Sequence, residues 1–295
     1  MNFPNSDILS DGFDEALYLS ENPDVADAVR RGHFDSGLAH FLRYGHRENR
    51  SGGPDPVNPP ALRFPAPLPP RELRKRVHGA VQVGSFELVG NKVAEVVVSE
   101  ANLWLPSPSR PLKILDFGCG CGRVLAYVGK LADVRAWGAD IDEQAISWCQ
   151  QNLQDVATFS RNSALPPLQF PDNAFDLVYS ISVMTHLPEK MQLAWLQELR
   201  RVTRPGGVLL LTVRDIHDVP LRWHQRLRYW RRGFLHCGGL ATPGLPEFYR
   251  SAFHSERYVR RCWSEFFEIL AFKRRAINGD QDLIVCRKSD QFAVR

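Results

Sequence analysis

From about residue 85 the apolar positions alternate between two rhythms. A helical stretch spans roughly 85–102 and is followed by strand-like KILDF at 113–117. Val124, Leu125, Val128 and Leu131 then recur at helical steps. VRAWGA (134–139) reads as a strand, and the next helix turns Ala145, Ile146, Cys149 and Leu153 inward. VATFS (156–160) and FDLVYSI (175–181) are two further strands. Met191, Trp195, Leu199 and Val202 mark a helix, and the turn RPGG (204–207) leads into VLLLTV (208–213). Strands alternating with helices predict an α/β fold, a parallel sheet with helices on both faces. Ligands in such sheets bind at the carboxyl ends of the strands, near the point where strand order reverses. FEILAF (267–272) and DLIVCR (282–287) lie close together and are expected to pair as an antiparallel edge.

The first 53 residues follow a different pattern. Asn22, Pro23 and Asp24 read as a helix start, with Asn22 as the cap and an acid beside the dipole. Val25, Ala28 and Val29 share a face, and Gly32 can close the helix. Asp35 is the expected next cap, followed by Leu38, Phe41 and Leu42 on a face ending at Gly45. So short a unit buries little core alone and is expected to pack on something else. The chain divides into a small all-α unit (1–53), a proline-rich linker (54–72) and a larger domain (73–295).

Composition narrows the function classes. The 295 residues are 44% hydrophobic with a net charge of +4, which does not by itself imply nucleic acid. The opening MNFPNSDILSDGFDE has neither the basic start nor the apolar core of a signal peptide. The longest apolar runs are strand-length, so no transmembrane helix is expected. Six cysteines without paired CxxC spacing suggest reduced thiols and a cytoplasmic setting.

The chemistry concentrates in ILDFGCGCGRVL, residues 114–125. A glycine-rich turn between a strand and a helix lets the backbone approach a ligand and offers free N–H groups. Dinucleotides and S-adenosylmethionine both use such turns. Here Gly118, Gly120 and Gly122 give G-x-G-x-G, whereas the dinucleotide fingerprint is G-x-G-x-x-G. Asp116 would repel a pyrophosphate and attract a sulfonium or ammonium. Asp140, at the end of the next strand, can accept from ribose hydroxyls in either class. Ile141 can cover an adenine face, and Asp142 reads as the cap of the following helix.

These residues resemble the class I S-adenosylmethionine-dependent methyltransferases. LDFGCGCG is similar to the family's first motif, GADID to its ribose motif, and RNSALPPLQFPDNAFDLVYS to the stretch leading into the fourth strand. LRRVTRPGGVLLLT resembles the helix and turn before the fifth strand. The resemblance covers roughly 73–295 and implies a Rossmann-like, seven-stranded, mostly parallel sheet. It implies S-adenosylmethionine as cofactor, held by Asp116, Phe117, Gly118, Cys119, Gly120, Gly122, Asp140 and Ile141. Asn162 and Ser163 would meet the adenine, although the family's usual residue at 162 is Asp, and Ser180 would lie nearby. YLSENPDVADAV and FDSGLAHFLRYGHRENR resemble a helical segment recurring in bacterial glycosyltransferases, methyltransferases and surface proteins, which implies glycan-biosynthesis partners. The usual ending there is EGR, where this chain has ENR.

Methyl transfer needs a general base only if the nucleophile is protonated. His186, just past the fourth strand, is the candidate; the alternative is a histidine that orients its loop. Asp215 and Asp218 read as turn residues rather than metal ligands, so no metal is expected. Residues 219–234 carry Trp223, Leu227, Trp230 and Phe234 at helical steps among five arginines. One reading packs the helix on the core by that stripe and leaves a solvated basic face. A second makes it a lid that turns Arg222 and Arg226 to a pocket mouth to receive an anionic acceptor. A third gives it a membrane-surface role. Nine Lys/Arg against two Asp/Glu across 220–261 make the local field positive. Tyr249 and His254 are further candidates for the acceptor pocket. The sequence therefore predicts a methyltransferase for a small-molecule or glycan-type acceptor. A nicotinamide oxidoreductase and a non-catalytic scaffold are the competing classes.

Overall fold

The computed structural model describes residues 13–45, 48, 50, 64–79, 81–106, 110–217, 219–238 and 245–289. The N-terminal unit comprises α1 (Glu15–Glu21), α2 (Pro23–Arg30) and α3 (Gly37–His40), the last running into a π-helical turn, Phe41–Gly45. Asn22 stands at the N-cap of α2 as expected, but its side chain makes no cap bond; its amide donates to Tyr18 O (2.8 Å), a carbonyl of α1. Ser36, not Asp35, caps α3, because its hydroxyl, one residue closer, reaches Ala39 N (3.0 Å). Gly32 follows α2 with φ +73, as a helix-closing glycine should. Tyr18, Val25 and Phe41 form a small core completed by Leu88 of the main domain. Arg43 lies 3.8 Å from Asp280, on the domain's last turn. The unit thus packs on the larger domain. The Leu42 side chain and residues 54–63 of the linker lie outside the described residues.

The main domain continues with α4 (Arg71–His78), α5 (Val83–Trp104), β1 (Leu112–Phe117), α6 (Leu125–Val128), β2 (Val134–Asp140), α7 (Glu143–Asn152), β3 (Thr158–Arg161) and β4 (Phe175–Ser180). Then come α8 (Glu189–Val202), β5 (Thr203–Val213), α9 (Trp223–Arg232), β6 (Phe234–Cys237), β7 (Ser251–His254), α10 (Glu256–Cys262), β8 (Glu268–Ile277) and β9 (Gln281–Arg287). Seven strands form one sheet in the order β3-β2-β1-β4-β5-β9-β8. The first five are parallel; β9 runs antiparallel to both β5 and β8. This is the expected Rossmann-like α/β architecture, closing strand pair included. Two elements differ from expectation. β5 begins at Thr203, because Gly206 at φ +72 lets the RPGG turn stay hydrogen-bonded to Lys288. β6 and β7 form a separate two-stranded sheet that the apolar pattern does not signal.

Strand alternation distributes the core over both faces. Ile114, Leu177 and Tyr179 meet α5, α6 and α7 through Val93, Leu125 and Cys149. Leu115, Phe117 and Val178 meet α8 and α10 through Trp195, Leu199 and Val259. Neighbouring residues on one strand thus serve opposite layers, as a period of two requires. The chain winds outward from β1 to β3, then returns to the other side of β1 with β4. Strand order reverses between β1 and β4, and the crevice opens there.

Candidate functional site

At the carboxyl ends of β1, β2 and β4 lies a cavity of about 370 Å³. Its floor is the glycine turn. Gly118 (φ +83) and Gly120 (φ +54) have left-handed backbone. A Cβ at Gly118 would lie 2.1 Å from Val183 Cγ2, and one at Gly120 would lie 2.6 Å from Val77 Cγ2. Only glycine fits both the conformation and the space. Gly118 N donates to Ala139 O (2.7 Å), which ties the turn to β2.

Two carboxyl groups flank this turn. Asp116, the last residue but one of β1, is 3% exposed, and burial pushes its pKa up to about 8; the Tyr179 hydroxyl and Arg123 oppose the effect, while the charge of Asp140 adds to it. Asp140 accepts from Gly120 N (2.7 Å) and Asp142 N (2.8 Å). Burial raises its pKa too, and those backbone donors offset part of the rise. Asp142 caps α7 by accepting from Gln144 N (3.1 Å) and Ala145 N (3.2 Å), as expected. Phe117, Cys119, Ile141, Asn162 and Ser163 also line the cavity. The Asn162 amide nitrogen donates to Ser163 O (2.8 Å), while its Oδ1 is buried without a protein partner.

The opposite end is built by the segment after β4 and by distant parts of the chain. The His186 ring stacks on Tyr249, with centroids 4.2 Å apart and planes at 17°. His186 Nδ1 lies 3.2 Å from Arg250 O, and a carbonyl can only accept, so Nδ1 carries the proton and Nε2 is the basic nitrogen. Tyr249 OH donates to Ser182 O (3.1 Å). Arg214 and Asp280, 3.1 Å apart, stand in the same wall. Sequence reasoning missed this pair, and it missed the wall given by Arg76, Val77 and His78 of α4. Arg76 ion-pairs with Asp142, and His78 bridges Arg123 Nη1 (2.9 Å) to Ser85 Oγ (2.8 Å). The basic run in LRKRVHG is the only local signal for α4, and it does not say what the helix covers.

Five expected site residues lie elsewhere. Ser180 is fully buried and does not line the cavity, because both faces of β4 are covered along its whole length. Gly122 packs on Leu153, below the turn. His254 has no exposure; its Nε2 meets Gln192 Oε1 (2.8 Å), and burial pushes its pKa down to about 3. Gln192 donates in turn to Met184 O and Leu187 O (both 2.8 Å), so His254 braces the loop that carries His186. Arg222 and Arg226 lie outside the cavity. Of the expected docking stripe only Phe234 turns inward, at 5% exposure and on β6 rather than α9; Trp223 (77%), Leu227 (41%) and Trp230 (72%) face solvent. The helix is anchored by its other side, through buried Tyr229, whose hydroxyl donates to Asp215 (2.6 Å). That contact gives Asp215 a structural role, and Asp218 lies outside the described residues. No metal-binding cluster occurs among the described residues. None of their helices is long and apolar enough to cross a membrane.

Residues 114–207 match the family described as a methyltransferase domain. Ajmaline N-methyltransferase of Rauvolfia serpentina is 30% identical over 150 residues, 47% of this chain and 50% of the relative. The 2-methyl-6-phytyl-1,4-hydroquinone methyltransferase of Synechocystis is 34% identical over 118 residues, 38% of this chain and 36% of the relative. The chain thus spans half or less of the length of these relatives. An S-adenosylmethionine-dependent methyltransferase structure from Mesorhizobium loti superposes with a TM-score of 0.51 at 16% identity, covering 68% of this chain and 100% of that one. That superposition shows the shared fold.

Proposed function

We propose that this chain binds S-adenosylmethionine along the carboxyl ends of β1 and β2 and methylates a small-molecule acceptor. The observation that carries this reading is the pair of carboxyl groups, Asp116 and Asp140, beside the glycine turn. A pyrophosphate brought to that turn would meet two acids; an ammonium and a sulfonium are attracted by them. This disfavours a nicotinamide cofactor. The buried, unpartnered Oδ1 of Asn162 suits an exocyclic amine, so Asn serves where the family's usual residue is Asp. Similarity to methyltransferases over 114–207 supports the same reading.

The bound cofactor would supply a methyl carbon made electrophilic by its sulfonium. The chain's own residues then bind, orient and exclude water. Holding two reactants in line can contribute about 7–11 kcal/mol of the barrier. Where the acceptor's nucleophile carries a proton, His186 Nε2 takes it. Tyr249 keeps the ring in place by stacking, and the Arg250 carbonyl fixes its tautomer. An anionic or glycan-type acceptor would meet Arg214 rather than Arg222 or Arg226. The division into 1–53, 54–72 and 73–295 suits this reading, with the helical unit fixed to the domain through Leu88. The likeness of that unit to a segment in glycan-pathway proteins supports a partner from such a pathway, and free cysteines suit a cytoplasmic setting.

Calorimetry tests the cofactor. The wild type should bind S-adenosylmethionine, and Asp140→Ala should weaken binding by about 1–3 kcal/mol. No binding by the wild type would sink the reading, and equal affinities would sink the role of Asp140. Methyl-labelled cofactor with fractionated cell extract then identifies the acceptor. With that acceptor, His186→Gln should lower kcat by about 10²–10⁴-fold and leave cofactor affinity unchanged. An unchanged kcat would remove His186 from proton transfer.

A further inference from the structure

The outward stripe of α9 needs an explanation that the cavity does not give. At about 100° per residue, Trp223, Leu227 and Trp230 fall within roughly 60° of one another. They are 77%, 41% and 72% exposed. Tyr229 anchors the helix from the other side at 5% exposure, so the stripe is not a core face that failed to fold inward. A solvent-facing patch holding two indoles marks an interaction surface.

The charge around the patch says what it meets. Arg226 and Arg231 border the stripe, with Arg222 and Arg228 further round, and all four are exposed. None of the four has a carboxylate partner among the described residues. The sequence holds no Asp or Glu from Val219 to Pro246. Two arginines of α10 extend the basic rim: Arg257 donates to Trp230 O (2.9 Å) and Arg261 to Arg232 O (3.3 Å). The nearby acids are engaged, Glu189 with Arg232 and Glu256 with Arg260 and Arg274.

We propose that α9 is a docking surface for an anionic lipid bilayer. Indoles and leucine would sit among the acyl boundary groups while the arginine rim meets lipid phosphates. A nucleic acid would be served by the arginines but not by a leucine set between two indoles on a convex helix. The strand that follows α9 links this segment to the cavity. His236, on the strand after α9, reaches His186 O (3.3 Å), at the acceptor end. The surface needs no cofactor, so its test stands apart from that of the methyl-transfer reading.

The test is co-flotation of the full chain with phosphatidylcholine vesicles, with and without phosphatidylglycerol, at low and high salt. The chain should bind the anionic vesicles at least about ten-fold more tightly than the neutral ones, and salt should weaken that binding. W223A/W230A should lower affinity at least about ten-fold while its circular dichroism stays unchanged, because both side chains are exposed. R226Q/R231Q should reduce the preference for anionic lipid and its salt dependence. No binding to anionic vesicles at low salt would overturn the proposal. So would equal binding by the tryptophan variant, which would leave a polyanion surface of arginines alone. A dimer that the tryptophan variant dissolves, without vesicle binding by the wild type, would make the face a self-association surface and overturn it as well.

Discussion

Asp116→Asn is expected to make the free protein more stable at pH 8 while weakening S-adenosylmethionine binding by about 2–3 kcal/mol. Burial holds the Asp116 pKa up at about 8, whereas an unfolded aspartate ionises near 3.9. Between those values the folded chain keeps a proton that the unfolded chain has lost. The group's stabilising contribution is therefore full below about pH 4 and falls away as pH rises towards 8. The loss is on the order of a few kcal/mol, and asparagine, which cannot ionise, avoids it. Thermal unfolding at pH 5 and pH 8 checks the first part: the variant should gain over the wild type at pH 8 much more than at pH 5. The second part has its own signature. A cationic ligand beside Asp116 favours the carboxylate, so binding near pH 7 should release a proton, and affinity should climb with pH until about 8. Calorimetry in buffers of different ionisation enthalpy reads that proton. A binding heat independent of buffer would mean that Asp116 does not meet the cation.

Gly118→Ala should abolish cofactor binding, by about 100-fold or more. Two separate causes act at this position. The backbone is at φ +83, and the new Cβ would lie 2.1 Å from Val183 Cγ2. The conformational part costs roughly 1–2 kcal/mol. The steric part pushes on the segment that carries Thr185 and His186, so it misplaces both ends of the cavity. Adding Val183→Ala removes the nearest atom and should recover the steric part alone. Calorimetry on the single and double variants separates the two. Normal binding by Gly118→Ala would show that the turn need not approach its ligand as closely as proposed, and no recovery in the double variant would leave backbone strain as the whole effect.

The seven-stranded sheet was legible because its strands and the helices between β1 and β5 announce themselves by period, and FEILAF and DLIVCR paired as their spacing suggests. The cavity was legible where its residues sit next to the strand ends, at Asp116, Gly118, Asp140 and Asn162. It was not legible at His78, Arg214 or Asp280, which reach the cavity only through tertiary packing and carry no local mark. His254 and Ser180 were misplaced for a related reason: proximity along the chain does not say which way a side chain turns. α9 shows the same limit at the level of a whole helix. Periodicity finds Trp223, Leu227 and Trp230 on one side but cannot tell an inward face from an outward one; the buried side is that of Tyr229, packed with Leu235 and Phe253 and bonded to Asp215.

The wall of the cavity runs from Arg76 in α4 to Gln281 at the start of β9. A ligand held there bridges segments separated by most of the folded sequence, so it can bind only after the sheet has closed. The stretch that matches the methyltransferase family, 114–207, would lack both α4 and the Arg214–Asp280 pair if expressed alone, and would hold such a ligand poorly. By mass action, a ligand that recognises the closed sheet alone at a hundred times its dissociation constant adds about 2.7 kcal/mol to the whole fold. Supply of such a ligand would thereby act on the lifetime of the protein.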